Sequence, residues 1–71
     1  MKLDLHGVRH QDVSRALDVF FWEAITKRQS QVEVICGNSQ AMKDLVIDVC
    51  KEYGFTWNEG LINKAVIFID I

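Results

Sequence analysis

Leu3-Asp4-Leu5-His6-Gly7 decides the fold, because a second run of the same kind, Val32-Glu33-Val34-Ile35-Cys36-Gly37, stands further along the chain. Each apolar run reads as a β-strand, and each is followed by glycine, a few polar residues and apolar residues at helical spacing. The chain therefore contains two strand-to-helix turns. If the two strands lie side by side and parallel, both turns and both helix N-termini open on one edge of the sheet, where α/β proteins usually hold ligands.

Outward from these junctions, Lys2 to Leu5 reads as a short strand with Leu3 and Leu5 on one face and Lys2, Asp4 and His6 on the other. From Gln11 to Lys27, the residues Val13, Ala16, Leu17, Phe20, Phe21 and Ala24 form one apolar helical stripe, and Trp22 lies opposite it, towards solvent. Lys27 to Gln31 is a polar connection whose cations suit a helix C-terminus. Val32 to Cys36 is the second strand. Ser39 is a good N-cap for a helix to Tyr53, with Met42, Leu45, Val46, Val49 and Tyr53 inward and Gly54 ending it. Phe55 to Asn58 reads as a third strand, Glu59 to Asn63 as a turn marked by Gly60, and Lys64 to Ile71 as the final strand. The order is βαβαββ: one α/β domain spanning residues 1–71, an α+β two-layer sandwich of two helices on a four-stranded mixed sheet. Ala65 to Ile69 is apolar on both faces, so if both helices cover one face, Val66 and Phe68 or their alternates are left on the other as a contact surface.

Composition narrows the classes. With 71 residues, 49% of them hydrophobic and no proline, the chain is a small globular domain rather than a disordered one. Folding at this length buries only about 60% of the unfolded chain's surface. No 18-residue apolar stretch and no signal-peptide pattern is present, so a cytoplasmic protein with no membrane partner is expected. Cys36 and Cys50 have neither a disulfide-framework nor a zinc-ligand spacing and read as buried free thiols. The net charge of −2 argues against long-range attraction to nucleic acid, so any such contact must be local.

Leu3-Asp4-Leu5-His6-Gly7, then Arg9, an amphipathic helix and a second strand-glycine-helix unit together resemble the Smr (small MutS-related) domain over essentially the whole chain. The first family signature, L-D-x-H-G, is matched in full. At the second, H-G-x-G followed by a helix beginning L-R-x-x-V, this chain has Cys36-Gly37-Asn38-Ser39 and then Met42-Lys43-Asp44-Leu45-Val46. The glycine and the basic position match; the histidine and the second glycine do not. Gly60-Leu61-Ile62-Asn63-Lys64 replaces the family's glycine-rich turn before the last strand. The resemblance implies a βαβαββ fold similar to the C-terminal domain of a bacterial translation initiation factor. It also implies a module that faces RNA or DNA, in some members as an endonuclease.

Cleaving a phosphodiester needs a group to activate a nucleophile, a donor to steady charge on the phosphate and a proton for the leaving oxygen. Asp4 can serve as base or metal ligand, His6 as the proton-exchanging group near neutral pH, and Arg9 as a contact to a non-bridging oxygen. The backbone amides around Asn38, Ser39 and Gln40, at the positive end of the second helix, can cradle an anion. The plainer alternatives are a solvated aspartate and a histidine that ends its strand by bonding nearby backbone. Cys36 beside His6 suggests a Cys–His pair, against which stands simple packing of the thiol. Asp4, His6, His10 and Cys36 match no standard metal-site spacing, so no tightly bound metal or other cofactor is expected, with a divalent ion admitted only for a nuclease. Trp22 can stack on an unpaired base or anchor a protein partner.

Two functions follow as expectations. The first is a nucleic-acid-binding edge made by His6, Arg9, His10, Gly37, Asn38, Ser39 and Lys43, with Asp4 and His6 as the catalytic pair if the strand is cut. The second is a catalytically inactive adaptor that binds a protein, such as a component of a ribosome, polymerase or repair complex, through Trp22 or the open sheet face.

Overall fold

In the computed structural model, which describes residues 1–60 and 64–71, β1 (Lys2–Asp4) and β2 (Gln31–Ile35) are parallel neighbours, with Lys2 opposite Glu33 and Asp4 opposite Ile35. β4 (Val66–Asp70) runs antiparallel along the other side of β2, and β3 (Thr56–Glu59) runs antiparallel on β4. The sheet order is β1-β2-β4-β3, a four-stranded mixed sheet as the sequence pattern requires. Of the turn expected at 59–63, residues 61–63 lie outside the described residues. Glu59, assigned to that turn by its neighbour Gly60, instead pairs with Ile67 as the last residue of β3.

The helices α1 (His10–Thr26) and α2 (Gln40–Tyr53) connect the strands. Their termini follow from particular residues. Ser39 caps α2, its Oγ accepting from the Met42 amide at 3.2 Å. Gly54, at φ +76°, ends it, while the amides of Gly54 and Phe55 donate back to Lys51 and Cys50. α1 ends in the same hydrogen-bonding pattern, with Arg28 and Gln29 donating to Ile25 and Ala24. Here, however, the left-handed residue is Arg28 at φ +57°, a position where glycine is the usual occupant.

One strand parity faces the helices. Leu5, Val32, Val34, Cys36, Ile67 and Ile69 are buried with Val13, Leu17, Phe20, Phe21 and Ala24 of α1 and Met42, Val46, Val49 and Cys50 of α2. The expected α1 stripe is therefore observed, with Ala16 at its half-buried margin. In α2 the stripe is rotated relative to expectation. It centres between Val46 and Cys50, which takes Lys43 into the buried set and leaves Leu45 half-buried. Tyr53, expected inward, is 42% exposed. Its ring stacks on Phe55 (centroids 5.2 Å apart) and meets Phe21 edge-on, while its hydroxyl turns outward to donate to Asp18 at 2.7 Å.

The opposite parity forms an open face of three cross-strand rows: Asp4, Ile35 and Val66; Lys2, Glu33, Phe68 and Asn58; Gln31, Asp70 and Thr56. Val66 and Phe68 are left there, half-buried, as β4's two-sided apolar pattern predicts. The last row is polar and joined, Gln31 Nε2 and Thr56 Oγ1 both donating to the Asp70 carboxylate.

Candidate nucleic-acid interface

Because β1 and β2 are parallel and adjacent, the turns that follow them emerge at one rim of the sheet. The first is shaped by Asp4, whose Oδ1 accepts from the His6 amide at 2.8 Å; Val8 then donates to the Leu5 carbonyl at 3.0 Å. The second leaves β2 as Cys36 donates to Ala65 at 2.7 Å. Gly7 (φ +81°) and Gly37 (φ +68°) take the left-handed conformation in these two turns. A Cβ at either would meet open space, so it is the backbone angle rather than crowding that calls for glycine.

Arg9 precedes α1 in extended conformation without a side-chain cap, and His10 is the first helical residue. His6, Arg9, His10, Asn38 and Ser39 are exposed at the rim, as is Asp4. Among the described residues, neither histidine nor Arg9 is held in an ion pair. At α2 the Ser39 cap takes the Met42 amide and the Ser39 carbonyl takes that of Lys43, so among the described residues the amides of Gln40 and Ala41 remain as donors at the positive helix end.

Lys43 departs from the exposed phosphate contact that its sequence position suggests. It is 8% exposed, and its side chain has neither hydrogen bond nor ion pair among the described residues. Burial raises the Cys36 thiol to a pKa of about 11, the positive charge of Lys43 opposes that rise, and the carboxylate of Glu59 adds to it. Lys43 and Glu59 therefore both lie within electrostatic reach of Cys36, next to the Gly37 turn. Glu59 was not a candidate residue. The alternation Phe55, Trp57, Glu59, which continues the inward parity of β3, is the signal that could have found it.

The Cys–His alternative does not form. Cys36 is buried on the helix-covered face with its Sγ directed at the Val34 carbonyl at 3.8 Å, whereas His6 is exposed, and a thiol with a pKa of about 11 is not a nucleophile at neutral pH. Among the described residues no three His, Cys, Asp or Glu side chains converge as a metal site. No helix is long and apolar enough to cross a membrane, among the described residues.

The rim thus joins two glycine turns, two helix N-termini, three exposed basic or imidazole side chains and one buried lysine. Comparison with known proteins finds no match among curated proteins or solved structures. The family model of the Smr domain matches residues 3–61, from the first strand through both turns and helices to the end of β3, with β4 beyond the matched segment. On that match, which takes in both junctions of the rim, the chain belongs to the Smr domain family.

Proposed function

We propose that the domain binds RNA or DNA by seating a backbone phosphate at the rim, between the Asp4–Arg9 turn and the Gly37–Gln40 turn. The observation that carries this reading is the parallel pairing of β1 with β2, which sets the two left-handed glycine turns side by side. The amides of Gln40 and Ala41 would donate to the phosphate, Arg9 would hold a non-bridging oxygen, and Lys43 would add charge from behind the turn. Such a local cluster provides the attraction that the overall charge of −2 does not. Membership of a nucleic-acid-facing family points the same way.

Strand cleavage at this rim would run through His6 as the proton-transferring group, with Arg9 steadying charge on the phosphate. Asp4 keeps Oδ1 for the turn and would act through Oδ2. The test is titration of labelled single-stranded and structured RNA and DNA at low salt, with Arg9→Ala and His6→Ala variants in parallel. Binding that weakens in R9A supports the proposal, as does cleavage lost in H6A with binding kept. Absence of binding by the wild type contradicts it.

The adaptor reading is favoured by a separate observation, the 73% exposure of Trp22 on the outer face of α1. A protein partner that is released by Trp22→Ala, with no affinity for any oligonucleotide, would establish that reading instead.

A further inference from the structure

Val19, Trp22, Ile25 and Tyr53, exposed by 62%, 73%, 49% and 42%, are the large hydrophobic side chains that the described residues leave in solvent. Three stand on α1, and the fourth joins them, since the Tyr53 hydroxyl bonds Asp18, one helical turn before Trp22. The patch lies on the helix layer, away from the rim's loops.

Its polar frame follows a pattern. Arg15, Val19, Glu23 and Lys27 are spaced four apart and so form one ridge along α1; Asp18, Trp22 and Thr26 form the next. Read along the first ridge, the charges are positive, apolar, negative, positive. Reversed about Val19, Arg15 falls on Glu23 and Glu23 on Arg15. The ridge therefore complements itself when two copies cross antiparallel, and a parallel crossing would set like charge on like. Ridges of this i±4 type pack together at about −50°, the commonest crossing in globular proteins. Arg15 has no ion pair among the described residues, while Glu23 holds Lys27 at 2.9 Å and would lie between that lysine and the second copy's Arg15.

From this surface we infer that the domain self-associates as a two-fold antiparallel dimer through α1, with Trp22 of each copy seated in the groove beside the other's Arg15–Val19–Glu23 ridge. The apolar patch is roughly a few hundred Å² per copy, below the ~800 Å² per partner of a standard stable interface, so the dimer is weak and reversible. Since α1 starts at the rim, antiparallel pairing places the two rims at opposite ends of the pair, about 25 Å or more apart for a helix of this length, and leaves both open.

Sedimentation velocity from roughly 10 µM to roughly 1 mM, the range in which small interfaces assemble, tests the inference. The wild type is expected to move from the mass of one chain towards two, and W22A to remain at one. R15E and E23R, both exposed changes checked for folding by circular dichroism, are each expected to weaken self-association at least tenfold. An equimolar mixture of the two should sediment as a dimer, because both cross-pairs are then oppositely charged. A wild type that stays monomeric throughout, a W22A that associates like the wild type, or a mixture no heavier than its components would overturn the inference.

Discussion

The amide of His6 donates to Oδ1 of Asp4 at 2.8 Å, so the two residues proposed for chemistry are also bound to each other as the structure of the turn. An aspartate that accepts from the amide two residues on is a turn-forming device in its own right. Asp4→Asn keeps the accepting oxygen and is expected to leave stability unchanged, whereas Asp4→Ala removes it and costs about 1 kcal/mol. Urea denaturation measures both. If Asp4 also acts as a base, D4N abolishes cleavage while oligonucleotide affinity stays at the wild-type level.

Lys43 is buried, with no ion pair among the described residues, near the positive end of α2, where a cation is unfavourable. Lys43→Met keeps the stem's packing and removes the charge. Stability is expected to rise by on the order of 1 kcal/mol. Oligonucleotide affinity should fall several-fold, and the slope of log affinity against log salt should drop by about 1. A loss of stability in K43M would show that the ammonium has a stabilising partner in the folded state.

Cys36 and Cys50 both have thiol pKa values raised from 9.0 to about 11, chiefly by burial. The folded state thus keeps its protons where the unfolded state loses them. Stability from this source is full below pH 9 and is lost as the pH rises through about 11. The expected decline is on the order of 2 kcal/mol per thiol across that window, a large part of the total for so small a domain. Denaturation midpoints at pH 8 and pH 10.5 should show it, and Cys36→Ala should reduce it by about half, leaving the Cys50 share.

Arg28 occupies the left-handed position that closes α1, at φ +57°. Arg28→Gly removes the steric penalty of a Cβ there and adds some unfolded-state entropy. The net expectation is a gain of about 0.5–1 kcal/mol. Thermal melts of R28G beside the wild type decide it, and an unchanged or lower midpoint would show that Arg28 makes a compensating contribution.

Much of this arrangement is legible in the chain. Leu3 to Gly7 and Val32 to Gly37 carry both period-two strands and the glycines that turn out of them, and Ser39 and Gly54 mark both ends of α2. These signals are local, and local physics decides them. What was hidden depends on tertiary placement. Lys43 looks like an exposed cation because its chemistry is polar, yet it falls within the helix face whose centre lies between Val46 and Cys50. Gly60 gives its neighbour Glu59 the look of a turn residue, and only pairing with Ile67 places it on the helix-facing parity of β3. Tyr53 has the spacing of a core residue, but its place at the end of α2 and its bond to Asp18 draw it to the surface. At the rim, sequence reading identified the exposed residues, while the buried lysine and the second carboxylate needed the sheet register.

The most direct test of the rim is a two-dimensional amide NMR titration with a short single-stranded oligonucleotide at low salt. The account predicts the largest shifts at His6 to His10 and at Gly37 to Ala41, two segments far apart in sequence that respond together. Shifts confined to the Val19–Ile25 face of α1, or none at all, would contradict it.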